Sequence, residues 1–257
     1  MTEIPVVKMG DGAAIPILGF GTWQLRGRQA YDAIRWALDA GYRHIDTATM
    51  YKNEAEVGKA VRDSGLDRGD LFITTKLPPG NAGRERNTIE DSLRALGMDY
   101  VDLWLVHWPP RQGKALEEVW RAFIGIRDGG LCRLIGVSNY GTAEVDELVT
   151  TTGVVPSVNQ IPWSVRGHDA KLLGEFRSRG VVVEGYSPLK NTRLTDPVLA
   201  QIAGAHSVTP AQVVLRWHVQ LGIVVIPRSS KQERIVSNAD LFGFSLTNQE
   251  MDRLSSL

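Results

Sequence analysis

The chain has 257 residues, and its 29 lysines and arginines balance 29 aspartates and glutamates, which disfavours nucleic-acid binding because that function needs a basic excess. The single cysteine, Cys132, excludes an internal disulfide framework and a cysteine-rich zinc site, and we expect it to be a buried small side chain. No apolar run approaches the ~20 residues that span a bilayer. The first ten residues lack a basic stretch followed by an apolar run, so we expect a cytoplasmic protein without a signal peptide.

In chain order, the first predicted element is a β-hairpin. Residues 6–9 and 13–18 are apolar stretches that flank Gly10-Asp11-Gly12, and Asp-Gly is a strong hairpin turn signal. After the hairpin, eight short apolar runs alternate with longer amphipathic stretches. The runs are residues 17–21, 44–48, 71–77, 101–108, 134–139, 157–161, 181–187 and 223–227.

The amphipathic stretches between these runs have helical patterns. In residues 30–41 and 86–97, apolar residues recur at a spacing of three and four, and a glycine ends each stretch. Residues 209–212, Thr-Pro-Ala-Gln, resemble a capping box with proline at the first helical position.

Eight strand–helix units in about 250 residues predict an α/β fold of the TIM type, a (β/α)₈ barrel preceded by the hairpin. The alternative is an open doubly wound sheet, which requires a Gly-x-Gly-x-x-Gly turn after the first strand. Gly19 and Gly21 fit that turn, but Gln24 occupies its third glycine position. No linker or change in composition interrupts the chain, so we predict one domain over residues 1–257.

Polar residues lie at or near the ends of successive predicted strands, where (β/α)₈ barrels carry their chemistry. The first four positions, 46, 76, 107 and 138, are separated by 30, 31 and 31 residues, which is one strand–helix unit per step. We therefore expect these side chains to meet at one mouth of the barrel. They are Asp46, Lys76, His107, Ser138, Asn139 and Gln160.

Four of the residues near this mouth form a set that can carry out acid catalysis. A lysine at the end of an apolar strand needs a partner, and Asp46 on the neighbouring strand can pair with Lys76. The ammonium group would lower the pKa of Tyr51, which follows Asp46 by five residues, from its usual value near ~10. His107 can donate a hydrogen bond to a carbonyl oxygen. This set would deliver a proton to an oxygen that gains negative charge, as in carbonyl reduction, although a buried ion pair alone could serve only to close the barrel.

Seven motifs, in order along nearly the whole chain, resemble the aldo-keto reductase family, and the sequence is most similar to small bacterial members such as 2,5-diketo-D-gluconate reductases. The resemblance implies the barrel fold, and a catalytic tetrad at Asp46, Tyr51, Lys76 and His107 with Tyr51 as proton donor. The motifs are GYRHIDTATMYKNEAEVG (41–58), ITTKL (73–77), LGMDYVDLWLVHWP (96–109), IGVSNY (135–140), VNQIPWS (158–164), EGYSPL (184–189) and IPRSSKQERIVSN (226–238).

The resemblance also implies NADPH or NADP as cofactor, bound without a Rossmann fold. Ser138, Asn139 and Gln160 would hold the nicotinamide carboxamide, and Tyr186 would stack on the ring. Asp46 and residues 21–23 would line the same mouth. Residues 187–189 would lie along the pyrophosphate, and residues 226–238 would surround the adenosine. The expected cofactor-binding residues are Gly21, Thr22, Trp23, Asp46, Ser138, Asn139, Gln160, Tyr186, Ser187, Pro188, Leu189, Ile226, Pro227, Arg228, Ser229, Ser230, Arg234, Ser237 and Asn238.

The side chains of residues 226–238, the segment expected at the adenosine, also indicate an anion-binding site. Arg228, Ser229, Ser230 and Arg234 lie at the start of a predicted helix, where cations, hydroxyls and helix N-terminal amides combine. The expected anion is a 2′-phosphate on the adenosine ribose. Two residues depart from the family pattern: Arg228 replaces the usual lysine, and Ser237 replaces a common glutamate.

The substrate pocket is expected to be apolar or aromatic, with Trp163 a further candidate for its wall. Because the chain stops at Leu257 after a helical pattern, we expect no C-terminal segment over the pocket. The expected substrate-binding residues are Trp23, Met50, Tyr51, Leu77, His107 and Trp108.

The expected partner is a small carbonyl compound, with no nucleic acid, membrane or metal ion, and the protein is expected to act as a monomer. One alternative is a non-catalytic nicotinamide-binding regulatory subunit, which the complete tetrad disfavours. Another is an isomerase or hydrolase on the same barrel, but Asp46 has no acidic partner at the mouth for paired-carboxylate chemistry.

Overall fold

An antiparallel hairpin opens the fold, as predicted. Strand β1 (Val6–Lys8) pairs with β2 (Ala14–Pro16). Gly10 and Asp11 of the predicted turn lie outside the described residues. The computed structural model of the protein describes residues 4–9, 12–110 and 116–257.

Parallel strands form the centre of the fold, and each pairs with the strand that follows it in the chain. The apolar runs of the sequence provide these strands, which are buried on both faces as parallel strands usually are. Among the described residues there are eight of them. They are β3 (Phe20–Gly21), β4 (His44–Asp46), β5 (Phe72–Leu77), β6 (Val101–Val106), β7 (Cys132–Ser138), β8 (Val158–Pro162), β9 (Val182–Tyr186) and β10 (Val224–Val225).

The first and last parallel strands meet and close the sheet. Leu18 forms a parallel bridge with Val225. The amide of Gly19 donates to the carbonyl of Val225 at 2.9 Å, and the amide of Val225 donates to the carbonyl of Ile17 at 2.9 Å. The predicted (β/α)₈ barrel is therefore confirmed and the open doubly wound sheet is excluded.

Helices surround the barrel, and the one after Thr209 begins where its capping box predicts. The hydroxyl of Thr209 accepts a bond from the amide of Gln212, and the Gln212 side chain accepts one from the amide of Thr209. The helices of the described residues are α1 (Gly27–Asp39), α2 (Glu54–Ser64), α3 (Glu85–Leu96), α4 (Leu116–Asp128), α5 (Thr142–Thr152), α6 (Ala170–Ser178), α7 (Pro197–His206), α8 (Pro210–Gln220), α9 (Gln232–Ala239) and α10 (Asn248–Ser255).

The helices pack closely on the strands and on one another. Trp104 of β6 stacks on Phe123 of α4 with ring centroids 3.8 Å apart. Helix α2 approaches the end of α3 so closely that a Cβ atom at Gly58 would lie 1.8 Å from the carbonyl oxygen of Leu96. Glycine is therefore required at position 58 for this helix contact.

A second apolar cluster closes the N-terminal end of the barrel. The hairpin contributes Ile15, and Met9 follows β1; both are buried. Because this end is filled, the open mouth lies at the C-terminal ends of the strands, where the predicted site residues are. The barrel residues in this cluster are Phe72, Leu103, Leu105, Leu134, Val158 and Val224.

Cys132 at the start of β7 is 2% exposed, and burial raises the pKa of its thiol to about 12. The prediction of a buried cysteine is therefore confirmed. In the described part of the chain, no single helix has both the length and the apolar character to cross a membrane. Helices α7 and α8 together have that length and apolar character, but the chain bends by 85° between them.

Candidate active site

The catalytic residues predicted from sequence come together at the C-terminal mouth of the barrel. Asp46 ends β4, Lys76 is the penultimate residue of β5, and His107 directly follows β6. Tyr51 ends a short 3₁₀ helix, Thr49–Tyr51, in the loop after β4. Three adjacent strands therefore present Asp46, Lys76 and His107, and the loop after β4 presents Tyr51.

Lys76 and Asp46 form a buried ion pair. The ammonium nitrogen lies 2.7 Å from each carboxylate oxygen of Asp46 and 2.7 Å from the carbonyl oxygen of Thr47. Burial lowers the pKa of Lys76, but the negative charge of Asp46 opposes it, and the net pKa is raised. Lys76 is therefore a fixed positive charge inside the barrel mouth.

The phenol oxygen of Tyr51 lies 3.4 Å from the ammonium nitrogen of Lys76. Burial raises the pKa of Tyr51, and the charge of Lys76 lowers it by less, so the net pKa is above the usual value. The sequence-based expectation that the pKa of Tyr51 is lowered is therefore wrong. That expectation included the charge of Lys76 but not the loss of water around the buried phenol. Tyr51 holds its proton at neutral pH.

His107 lies beside Tyr51 as a neutral imidazole. The two rings meet edge to face with centroids 5.8 Å apart, and the His107 ring also stacks on Trp108 with centroids 4.0 Å apart. Burial, followed by the charge of Lys76, lowers the pKa of His107 to about 2. Within the described residues its Nδ1 atom has no hydrogen-bond partner.

Next to these residues opens a cleft of about 550 Å³. It runs from the predicted catalytic groups past the ends of β7, β8 and β9 to the segment after β10. Most of the expected cofactor residues line it, which brings residues distant in the chain to one surface. The lining residues are Gly21, Trp23, Asp46, Tyr51, His107, Trp108, Ser138, Asn139, Gln160, Tyr186, Ser187, Pro188, Leu189, Lys190, Ile226, Pro227 and Arg228.

Three of the four residues expected around a nicotinamide, Ser138, Asn139 and Tyr186, are joined by side-chain hydrogen bonds. Tyr186 donates to Oδ1 of Asn139 at 2.8 Å, and the amide nitrogen of Asn139 donates to the hydroxyl of Ser138 at 3.0 Å. Gln160 instead donates to Asp46 at 2.8 Å. A flat, half-buried ring and three polar side chains therefore occupy the cleft wall nearest the catalytic residues.

At the far end of the cleft, the expected adenosine residues fall into two groups. Arg228 turns towards the loop after β3, where its guanidinium donates to the carbonyl of Trp23 at 3.0 Å and to the side chain of Gln24. Arg234 in the first turn of α9 is exposed, and within the described residues its side chain makes no hydrogen bond or ion pair. Beyond the cleft lining lie Ser229, Ser230, Arg234, Ser237 and Asn238.

Other expected residues also lie outside the cleft lining. Thr22 is fully buried, and its hydroxyl donates to the carbonyl of Asp46 at 2.9 Å. Leu77 and Trp163 are 1% and 2% exposed and belong to the apolar core between barrel and helices, so neither forms a cleft wall. Met50 is 49% exposed in the loop after β4 and does not line the cleft either.

Comparison with known proteins decides the family. The sequence profile of the aldo/keto reductase family matches residues 17–257. The chain belongs to this family. It is 43% identical to 2,5-diketo-D-gluconic acid reductase B of Corynebacterium sp., over 100% of this chain and 94% of that protein.

Solved structures of other aldo/keto reductases have the same fold. The enzyme from Brucella melitensis superimposes with a TM-score of 0.96 at 41% identity, covering 100% of this chain and 98% of that one. The Bombyx mori aldo-keto reductase, solved in complex with NADP, superimposes with a TM-score of 0.93 at 32% identity, covering 100% and 93%. The family uses NADP(H), and the resemblance inferred from the sequence is confirmed.

Sequence reasoning missed two ionisable residues of this aldo/keto reductase. Lys190 lines the cleft directly after the Ser-Pro-Leu motif, and its position next to that motif was the available signal. Glu184 is fully buried inside the barrel, and the only signal was a carboxyl within an apolar strand. Among the described residues, no group of three or more histidine, cysteine or acidic side chains could hold a metal ion.

Proposed function

We propose that this aldo/keto reductase uses NADPH to reduce aldehydes and ketones to alcohols, with Tyr51 as the proton donor. The observation that carries the proposal is the position of the Tyr51 phenol oxygen, 3.4 Å from the Lys76 ammonium and at the inner end of the cleft. A proton donor beside a fixed cation suits a reaction in which negative charge develops on a substrate oxygen.

Each of the four residues has a distinct task in this proposal. When bound, NADPH supplies the hydride that adds to the carbonyl carbon. His107 is neutral and can donate an N–H to the carbonyl oxygen, which orients the substrate. Tyr51 gives its proton to that oxygen as the charge develops, and Lys76 stabilises the phenolate that remains. Asp46 keeps Lys76 charged and in place through its two 2.7 Å contacts.

The cleft fits a nicotinamide cofactor by its chemistry. Tyr186 offers a half-buried aromatic face, and Asn139 and Gln160 offer amide groups next to the catalytic residues. Arg234, six residues after the Arg228 that lines the cleft, offers an exposed guanidinium that makes no ion pair within the described residues. We infer that the nicotinamide lies against Tyr186 and that the 2′-phosphate lies near Arg234.

The substrate end of the cleft favours apolar or aromatic carbonyl compounds. Trp108 stacks against His107 and forms a flat wall beside the reacting group. Trp23 is 55% exposed and lines the cleft, so it offers an apolar surface at the rim. We infer that these indole rings hold the apolar part of the substrate while His107 and Tyr51 contact its oxygen.

The test compares the wild type, Tyr51→Phe and the control Tyr31→Phe in a panel of aldehydes and ketones, with NADPH oxidation as the readout. Tyr31 is bonded to Asp63 on the outer helices, so its variant loses a phenol hydroxyl far from the cleft. We expect Tyr51→Phe to lose at least ~10²-fold in turnover, with NADPH affinity retained. Near-normal turnover of Tyr51→Phe would remove Tyr51 from the reaction, and a wild type that binds NADPH but reduces nothing would favour a non-catalytic protein.

A further inference from the structure

Glu184 of β9 places a second carboxyl group inside the barrel, close to the Lys76–Asp46 pair. Its side chain is fully buried, and one carboxylate oxygen lies 3.7 Å from Nε2 of His44. His44 precedes Asp46 by two residues on β4, so the two side chains share the inner face of that strand. Glu184 therefore lies one side-chain layer further into the barrel than the ion pair.

Lys76 and the nearby amide of Gln160 favour a negative charge on Glu184, but burial and the charge of Asp46 oppose that charge more strongly. Within the described residues neither of its carboxyl oxygens has a hydrogen-bond partner. Burial, followed by the charge of Lys76, lowers the pKa of His44 to about 3, so His44 is neutral, and its Nε2 lies 3.0 Å from the hydroxyl of Thr74. An unpaired carboxylate in such a place is strongly unfavourable, so Glu184 carries a proton at neutral pH.

The groups that face Glu184 come from four strands. Strand β4 contributes His44 and Asp46, β5 contributes Lys76, and β8 contributes the uncharged amide of Gln160, which is the register partner of Glu184. The register partner on β10 is the apolar Val224. Burial and the charge of Asp46 raise the pKa of Glu184 to about 8, and the Gln160 amide and the charge of Lys76 lower it by less.

We propose that Glu184 is a positioning residue of the active site, protonated in the resting protein, whose ionisation weakens the action of Lys76 on Tyr51. A negative charge on Glu184 attracts the ammonium of Lys76 and cancels part of its potential at the Tyr51 phenol. Tyr51 then releases its proton less readily to a substrate oxygen. The kinetic part of this inference rests on the proposed carbonyl reduction.

The kinetic test is the pH dependence of kcat for reduction in the wild type, Glu184→Gln and Glu147→Gln. Glu147 is an exposed carboxylate on α5, outside the barrel, and its variant is the matched control. We expect wild-type kcat to fall about tenfold as the pH rises through about 8. Glu184→Gln stays neutral, so its fall should begin at higher pH, while the control should follow the wild type. An unchanged alkaline fall in Glu184→Gln would overturn the proposal.

Two measurements do not depend on turnover. The infrared band of a protonated buried carboxyl group should be present at pH 6 in the wild type and the control, absent in Glu184→Gln, and lost as the pH rises through about 8. The absorbance of the Tyr51 phenolate, taken as the difference from Tyr51→Phe, should appear at lower pH when Glu184→Gln is added. A missing infrared band or an unshifted phenolate would overturn the inference, even if no carbonyl compound is reduced and the proposed function itself fails.

Discussion

The side-chain amide of Gln160 donates a 2.8 Å hydrogen bond to Oδ2 of Asp46, across 114 positions of the chain. The same oxygen accepts a bond from Lys76 at 2.7 Å. Gln160 was expected at the nicotinamide and Asp46 at the catalytic lysine, so one carboxylate oxygen joins the two parts of the site. A change at Gln160 should therefore affect both cofactor binding and the catalytic ion pair.

Gln160→Leu tests this connection, because it removes the amide and keeps most of the volume. A hydrogen bond to a charged group contributes about 1.5–3 kcal/mol, so we expect a loss of that size in the free energy of unfolding, together with weaker NADPH binding. Urea unfolding and fluorescence titration measure the two effects. Gln249→Leu, which removes an exposed amide on α10 that makes no hydrogen bond within the described residues, should change neither. Unchanged stability and affinity in Gln160→Leu would contradict the connection.

Removing one partner of the Lys76–Asp46 pair should strongly lower the free energy of unfolding. Lys76→Met leaves Asp46, which is 2% exposed, without its counter-charge, so we expect a loss of about 3–5 kcal/mol in the free energy of unfolding. The double variant Asp46→Leu/Lys76→Met leaves no unpaired charge and should recover much of that stability, without activity. Urea unfolding of the three proteins checks this, and a double variant no more stable than Lys76→Met would count against it.

The sequence predicts which proposed catalytic residues meet at the mouth because strand ends repeat at a nearly constant spacing. Asp46, Lys76 and His107 follow that rule, and the barrel brings them together. Residues at such positions do not depend on loop conformation. Their identity and their neighbours could therefore be predicted before the structure.

Side-chain direction and desolvation could not be predicted in this way. Leu77 follows Lys76 directly, and strand alternation turns it into the outer core rather than the cleft. Arg228 is bonded to the loop of Trp23, a contact between residues more than 200 positions apart. The net pKa of Tyr51 depends on how much water the folded mouth excludes, which no spacing in the sequence indicates.

The lowered pKa of His107 predicts a pH dependence of stability. An ordinary histidine titrates near 6.5 and His107 near 2, so as the pH falls below about 6.5 the unfolded chain binds a proton that the folded protein does not. The stability from His107 is thus complete above pH 6.5 and is lost towards acid pH. Between pH 7 and pH 5 we expect the wild type to lose about 2 kcal/mol more than His107→Gln in urea unfolding. Equal losses in the two proteins would contradict a buried neutral His107.

The same substitution also tests how His107 acts on the substrate. His107→Gln retains an N–H donor near the cleft, whereas His107→Leu has a similar size and no donor. If His107 orients the carbonyl as a neutral donor, His107→Gln should keep more of the wild-type kcat/KM than His107→Leu. Equal activities of the two variants would mean that donation from this position does not contribute.

The two arginines near the adenosine end should differ in their effect on cofactor choice. Arg234 is exposed and makes no ion pair within the described residues, so its guanidinium is available for a 2′-phosphate. Arg228 already bonds the carbonyl of Trp23, so its loss should loosen the cleft rim for either cofactor. We therefore expect Arg228→Ala to weaken NADPH and NADH to similar degrees.

Arg234→Ala should weaken NADPH by about 1.5–3 kcal/mol, or roughly ten- to 150-fold in Kd, because it loses charged hydrogen bonds to the phosphate. NADH lacks that phosphate, so its Kd should stay nearly constant. Fluorescence titrations of both cofactors measure the difference, with Arg94→Ala on α3 as a control that removes an exposed arginine paired with Asp91. If Arg234→Ala weakened both cofactors equally, Arg234 would bind a part that they share, and the 2′-phosphate would have to be recognised elsewhere in the segment from Pro227 to Asn238.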